Sequence, residues 1–269
     1  SASRRSFARP LRLGDDTFRT GIISEEKSNR LVETMLGFRH LIKAYPALDF
    51  AAYATSAMRE AKNAGEVVAR VRKACDISIE VIEGAREAEV IYANHIEHRL
   101  DPKKNYLYVD VGGGSTEVTL IARGRRVGGS SFPVGTVRML QGRPNQRALD
   151  ALKTWVKRHR AEYGAMTAIG SGGNINTIFK LARVKQDRPL SIAQVREIHA
   201  LVKSYSLEER IVTLGLRPDR ADVIGHASDV YLSVMKWGKI TQIFVPEVGL
   251  SDGIVHLLYE KHHRRAVRA

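Results

Sequence analysis

The stretch DVGGGSTEV, residues 110–118, places three consecutive glycines between two segments rich in β-branched and aromatic residues. Glycine loses more backbone freedom on folding than any other residue, so such a run indicates positive φ or the close approach of another group. One strand-like segment, NYLYV, precedes the glycines. A second, TEVTLIA, begins at Thr116 within the stretch, and a third, RRVGGSSFPV, follows it. We therefore predict three consecutive strands in antiparallel hairpins, with the glycines in the first turn.

A glycine turn of this kind exposes successive backbone N–H groups, which suit phosphate oxygens. The predicted phosphate-binding residues of the turn are Gly112, Gly113, Gly114, Ser115 and Thr116. Asp110 and Glu117 flank it, and carboxylate oxygens are the ligands that Mg²⁺ prefers, directly or through water. The alternative is an ordinary flexible hairpin turn, which the two acids disfavour because they bring like charges into a small space.

A second glycine-rich stretch, AIGSGGN at residues 168–174, has the pattern of a buried strand that leads into a loop and then a helix. The unpaired N–H groups of a helix N-terminus bind anions well. The predicted phosphate-binding residues here are Gly170, Ser171, Gly172, Gly173 and Asn174. A purely structural connection between strand and helix is the alternative.

Two further stretches, ATSAMREAKN and EGAREAEV, each run from a predicted strand into the polar start of a helix. Strand ends in α/β sheets gather ligand-binding residues. Arg59 suits a bidentate phosphate contact and Glu87 suits a general base acting on water. For Glu87 the alternative is a first-turn glutamate that only interacts with the helix dipole. His95 and His98 have no apparent third ligand, which favours solvated histidines over a metal site.

The charge and the cysteine count limit the partners and the compartment. The 269 residues carry a formal net charge of +14, which concentrates polyanions, although excess charge that only aids solubility is the alternative. Nucleic acid is not expected, because zinc-finger spacings and aromatic-basic strand motifs are absent from the sequence. Cys75 is the single cysteine, which fits a reducing compartment. Apolar runs are short and no signal-like segment is present, so we expect a cytoplasmic protein without a membrane partner.

Strands alternate with helices along the chain, apart from the glycine-joined hairpins, and this pattern predicts a mixed α/β fold. The segment DPKKN at residues 101–105 breaks the apolar pattern and indicates a boundary between two lobes.

Five motifs carry a family resemblance in their order along the chain: ATSAMREAKN, IEVIEGAREAEVIY, DVGGGSTEV, SSFPVGTVRM and AIGSGGN. This order resembles the exopolyphosphatase/guanosine pentaphosphate phosphatase family of the actin-like, sugar-kinase ATPase superfamily, from about Arg12 to the closing helix. The resemblance implies Mg²⁺-dependent hydrolysis of terminal phosphoanhydrides. By motif matching it implies a catalytic base at Glu87, a substrate-binding arginine at Arg59 and a metal- and water-organising aspartate at Asp110. The second phosphate loop of the family matches residues 112–117.

The same resemblance implies two ribonuclease-H-like lobes with the active site in the cleft between them. The expected N-terminal lobe covers residues 1–104 and is completed by a C-terminal helix at 251–263. The expected C-terminal lobe covers residues 105–250 and carries the glycine-rich loop.

The sequence departs from the family pattern in three places. Arg86 replaces the first of two acids in the Glu87 motif, and Ser251 and Asp252 replace a common Arg-Glu pair. The family also opens with a strand and a phosphate loop that are not found here. Because a missing strand leaves buried backbone groups unpaired, we expect the natural chain to carry about thirty more N-terminal residues.

Three functions remain open from the sequence. The basic charge favours an exopolyphosphatase that releases orthophosphate from inorganic polyphosphate. A guanosine pentaphosphate phosphohydrolase is the second, and a non-catalytic sensor that binds polyphosphate or a nucleotide is the third. The departures favour the sensor, whereas the intact Glu87, Asp110 and Glu117 favour an enzyme. For each of these three functions, the sequence leaves open whether the protein forms a homodimer.

Overall fold

The structure is a computed structural model. It describes residues 11–45, 47–93, 100–142, 145–185, 188–246 and 249–266. The chain divides into two compact units, Ser1–Val81 and Ile82–Ala269. The lobe boundary predicted after residue 104 stays a prediction.

Unit 1 packs four helices around a small parallel sheet. Its elements are α1 (Leu13–Thr20), α2 (Glu25–Ala44), β1 (Ala52–Ala54), α3 (Ser56–Glu60), α4 (Ala64–Cys75) and β2 (Ile79–Val81). Helix α2 begins after Ser24, whose side chain accepts a hydrogen bond from the Lys27 N–H. Helix α1, which the sequence pattern does not predict, is short and is followed by Gly21 with φ of 79°.

Unit 2 is built on a six-stranded mixed sheet with the order β5-β4-β3-β6-β8-β7. Its strands are β3 (Asn105–Val111), β4 (Thr116–Ala122), β5 (Arg125–Phe132), β6 (Met166–Ser171), β7 (Leu190–Ser191) and β8 (Gln242–Phe244). The predicted antiparallel hairpins β3–β4 and β4–β5 are confirmed, and β6 joins β3 in parallel. The predicted mixed α/β fold is therefore confirmed.

The helices of unit 2 lie on both faces of this sheet. They are α5 (Gly84–Tyr92), α6 (Thr136–Leu140), α7 (Gln146–Tyr163), α8 (Gly172–Ala182), α9 (Ile192–Ser204), α10 (Leu207–Val212), α11 (Pro218–Ala221), α12 (Ile224–Trp237) and α13 (Leu250–Ala266). Four of these helices, α9 to α12, lie between Ser191 and Trp237. Residues 94–99, with the two histidines considered above, lie outside the described residues.

Alternate residues of β3 face two different cores. Leu107 and Val109 belong to the large core that α7, α8, α9 and α12 complete. Tyr106 and Tyr108 pack instead with Ile91 of α5. Because side chains alternate along a strand, Asp110 lies on the same face as these two tyrosines, which is the α5 face. In the described part of the chain, no helix is long and apolar enough to cross a membrane.

Candidate active site

One row of four polar residues crosses the sheet of unit 2. Asp110 is opposite Glu117 on β4 and Ser171 on β6, and Glu117 is opposite Ser131 on β5. Directly paired residues share a face of the sheet, so these side chains lie side by side. The Ser171 hydroxyl donates to Asp110 Oδ2 at 2.6 Å, and the Ser131 hydroxyl donates to Glu117 Oε1 at 2.7 Å. We call these four residues the polar row.

The two carboxylates of the polar row raise the charge density of a desolvated region. Glu117 is 4% exposed, and protein surrounds Asp110 closely although part of its surface meets solvent. Desolvation raises the pKa of Asp110 to about 7, and the Glu117 charge adds to this rise against the opposing Ser171 hydrogen bond and the Arg220 charge. A cation beside the pair would relieve both the desolvation and the repulsion.

The polar row fits Mg²⁺ in the way this ion is usually held. Among the described residues, no group of three or more histidine, cysteine, aspartate or glutamate side chains is arranged to hold a metal. Mg²⁺ commonly takes one or two protein carboxylates and completes its octahedron with water and substrate phosphates. Asp110 and Glu117 supply such a pair, so the residues present fit the ion.

The carbonyl groups of the first glycine loop are held by the N-terminus of α6. The Thr136 N–H donates to the Gly112 carbonyl at 3.0 Å, and the Arg138 guanidinium donates to the Gly114 carbonyl at 2.6 Å. Gly135 packs so closely that a Cβ there would lie 2.3 Å from the carbonyl carbon of Gly114. The loop is thereby fixed from its carbonyl side.

The backbone N–H groups of the same loop differ from its carbonyl groups in their partners. Within the residues that the structure describes, the backbone N–H groups of residues 113–115 donate to no protein acceptor. None of Gly112, Gly113 and Gly114 has a positive φ, so the loop lacks the alternating αR–αL conformation of a nest, and its N–H groups are individual donors for an anion. The Thr116 hydroxyl, by contrast, donates to the Val134 carbonyl at 2.6 Å and is fully buried. The Thr116 side chain therefore supports the loop, and the predicted contact of Thr116 with phosphate stays a prediction.

The second glycine loop starts at the other end of the polar row. Gly172 has φ of +87°, and a Cβ there would lie 2.7 Å from Asp110 Oδ1, so both backbone conformation and space require glycine. The Asn174 side-chain amide donates to the Val111 carbonyl at 2.7 Å, and the amide oxygen accepts from Arg220 at 3.1 Å. The Asn174 side chain thus ties the two loops together, and the predicted contact of Asn174 with phosphate stays a prediction. A Cβ on Gly170 would lie 2.7 Å from Ile175, so Gly170 serves packing.

Tyr231 of α12 holds the two strand ends from which the loops depart. Its hydroxyl accepts from the Val111 N–H at 3.3 Å and donates to the Ser171 carbonyl at 3.1 Å. Burial raises the pKa of this phenol well above its ordinary value, so the group remains a donor. Sequence reasoning missed Tyr231. The available signal was a tyrosine on the apolar face of its helix, beside Ala227 and Val234, where its hydroxyl needs a partner.

Glu87 lies in the first turn of α5 and is 9% exposed. It precedes Ile91 by one helical turn, and Ile91 packs against Tyr108 on the face that carries Asp110. The structure therefore brings Glu87 to the same face of the unit 2 sheet as the two other acids. Arg59 lies in α3 of unit 1 and is part of a separate unit.

A basic cavity of about 530 Å³ adjoins the second glycine loop. Its lining includes Thr177, Lys180, Leu181, Arg217 and Arg220. Arg220 also reaches the loop, because a Cβ on Gly173 would lie 2.7 Å from its guanidinium. Neither Arg220 nor this cavity is predictable from local patterns, since the lining comes from three separate segments between residues 177 and 220.

The chain is similar in sequence and in fold to several known proteins. The profile of the Ppx/GppA phosphatase family matches residues 6–262. A putative exopolyphosphatase of Haemophilus influenzae is 24% identical over 274 residues, which cover 96% of this chain and 84% of that protein. A guanosine-5'-triphosphate,3'-diphosphate pyrophosphatase of Photobacterium profundum is 24% identical over 91% of this chain and 52% of its own length. An exopolyphosphatase structure from Cytophaga hutchinsonii superposes with a TM-score of 0.81 at 22% identity, over 93% of this chain and 88% of that one.

Proposed function

Because the chain belongs to the Ppx/GppA phosphatase family, it is a hydrolase of phosphoanhydride bonds, and we propose that it releases orthophosphate from inorganic polyphosphate in a Mg²⁺-dependent reaction. One observation carries the proposal. The carboxylates of Asp110 and Glu117 lie side by side where two glycine loops begin, and among the described residues the first loop has N–H groups that donate to no protein acceptor.

Phosphoanhydride hydrolysis requires positioning and charge stabilisation rather than covalent catalysis by the protein. In the proposed complex, the N–H groups of residues 113–115 and of the first turn of α8 bind oxygens of the terminal phosphate. Asp110 and Glu117 hold Mg²⁺, which when bound withdraws charge from the phosphate. The ties made by Asn174 and Tyr231 keep the two loops in place while the substrate binds.

We assign the general base to Glu87. It takes a proton from the attacking water as the water oxygen bonds to the terminal phosphorus. The P–O bond to the rest of the chain breaks, and the shortened chain leaves with the bonding electron pair. Burial of Glu87 supports this role. Little bulk water reaches a buried carboxylate, so little water competes with it for the proton of the attacking water.

The basic surface supports a long polyanionic substrate. In unit 2, exposed cations include Arg123 and Arg125 at the turn between β4 and β5, and Lys157 and Arg158 on α7. Together with the net charge of +14, they provide a field that attracts a chain with one negative charge or more on each phosphate.

Binding of long polyphosphate is expected to weaken steeply as salt concentration rises, because each contact releases condensed counterions. By analogy with nucleic acid, the slope of log affinity against log salt should be steeper for a long chain than for triphosphate. We would measure both slopes on Glu87→Gln, in which turnover does not deplete the ligand. Equal slopes for the two ligands would exclude the surface charge from substrate capture.

Guanosine pentaphosphate is the second candidate substrate, and the basic cavity favours it. A volume of about 530 Å³ suits a nucleoside, and the cavity meets the glycine loop at Arg220. A guanosine group in this cavity would place its phosphates toward the polar row.

The two substrates are separated by steady-state phosphate release with Mg²⁺, comparing kcat/KM for long polyphosphate and for guanosine pentaphosphate. We expect kcat/KM to be higher for polyphosphate than for guanosine pentaphosphate. The Lys180→Ala substitution in the cavity should leave kcat/KM for polyphosphate unchanged. A higher value for the nucleotide that falls in Lys180→Ala would support the second candidate instead. Tight binding without release of phosphate from either ligand would support a sensor.

A further inference from the structure

Ser171 begins helix α8 but does not cap it. At three other helices of this chain the starting serine accepts a hydrogen bond from the third residue of the helix, namely at Ser24, Ser191 and Ser206. Ser171 occupies the same N-cap position with extended backbone, yet its side chain makes no capping hydrogen bond. Serine at this position normally stabilises a helix by capping, so α8 gives up this stabilisation.

The hydroxyl of Ser171 is used in the polar row instead. It donates to Asp110 Oδ2 at 2.6 Å, a short distance that is typical of a hydrogen bond to a carboxylate. Capping would use the lone pairs of this hydroxyl oxygen and not its proton, so the missing cap reflects the side-chain orientation of Ser171, which points its oxygen toward Asp110. The side chain is thus committed to the orientation of the aspartate.

Ser131 makes the equivalent contact at the other end of the row. Its hydroxyl donates to Glu117 Oε1 at 2.7 Å, from the edge strand β5. Each carboxylate therefore accepts a serine proton on one of its two oxygens. Two donors on opposite sides hold the planes of the two carboxylates against their mutual repulsion, which would otherwise turn the side chains apart.

We propose that Ser131 and Ser171 are positioning residues that orient Glu117 and Asp110 for a divalent cation. The inference rests on the proposed function, because it assumes that these two acids hold the ion. Groups that hydrogen-bond to metal-binding carboxylates typically change metal affinity or activity 10- to 100-fold when removed. Neither serine is required to contact the cation or the substrate.

The test uses Mn²⁺ as a paramagnetic probe, with its binding to the full chain measured by electron paramagnetic resonance. Ser131→Ala and Ser171→Ala are each expected to weaken Mn²⁺ binding by about 10- to 100-fold. Ser131→Thr retains the hydroxyl at a partly exposed position and is expected to bind Mn²⁺ as the wild type does. Ser130→Ala is the matched control, since Ser130 is the neighbour on β5 whose side chain points to the other face.

Thermal unfolding without metal separates positioning from a merely structural role. A structural role would lower the melting temperature of the alanine variants and leave Mn²⁺ affinity unchanged, which would overturn the inference. If Ser171→Ala does not fold, the contrast between Ser131→Ala and Ser131→Thr decides the matter alone. If the wild type releases phosphate with Mn²⁺ and the alanine variants bind Mn²⁺ as tightly as the wild type, this inference is wrong. The proposed function is then unaffected. A wild type that neither binds Mn²⁺ nor releases phosphate would remove both.

Discussion

Replacement of Glu87 by glutamine is expected to lower turnover by on the order of a hundredfold or more while polyphosphate still binds. The glutamine keeps the size and most of the polarity of the buried side chain but cannot take the proton of the attacking water. The general base acts mainly in the transition state, so the loss falls on kcat. Phosphate release and equilibrium binding of polyphosphate, measured on the same preparation, separate the two effects.

Glu89→Gln is the matched control for this variant. Glu89 lies on the same helix but is exposed, and it pairs with Arg86 at 3.2 Å. The same chemical change there should leave turnover within about twofold, because exposed ion pairs contribute little. Near-normal turnover in Glu87→Gln would remove Glu87 from the mechanism.

Asp110→Asn is expected to reduce turnover by about a thousandfold or more, because it removes half of the carboxylate pair that holds the metal. The same substitution should raise the stability of the metal-free protein at high pH. The folded-state pKa of Asp110 is raised to about 7, above the value of about 3.9 in an unfolded chain. An acid whose pKa is raised by folding contributes its full stability at pH values below its pKa in the unfolded chain. That contribution is lost as the pH rises through its pKa in the folded protein.

Metal-free wild type should therefore lose stability between about pH 4 and pH 7 through this group, whereas the asparagine variant should not. With chelator present, we expect Asp110→Asn to melt a few degrees above the wild type at pH 8 and to lose this advantage at pH 5. Asp150→Asn, an exposed site on α7, should show no such dependence. A melting temperature lowered equally at both pH values would show that Asp110 is not destabilised by its surroundings.

The parts of the site that depend on neighbouring residues could be predicted from the sequence. Glycine runs and alternating apolar residues are local signals, so the hairpin between β3 and β4 was predictable. Once that hairpin forms, its register places Asp110 opposite Glu117. The family resemblance added Glu87, which first-turn chemistry alone does not distinguish from a partner of the helix dipole.

The rest depends on contacts between distant parts of the chain. The Tyr231 hydroxyl accepts a hydrogen bond from Val111, which is 120 residues away along the chain, and no periodic pattern in the sequence predicts this contact. Thr116 and Asn174 have donors of the type that binds phosphate, but tertiary packing directs both to backbone carbonyls. The position of Ser131 in the polar row follows from the register of β5, which includes an irregularity between Leu120 and Ile121 that sequence patterns do not reveal.

The most direct test of the account is phosphate release from long-chain polyphosphate while Mg²⁺ is titrated into chelated protein. The account predicts no release without the ion, release that rises with Mg²⁺ in the wild type, and almost none in Glu87→Gln or Asp110→Asn at any concentration. Wild-type protein that binds polyphosphate tightly but releases no orthophosphate across the whole titration would contradict it.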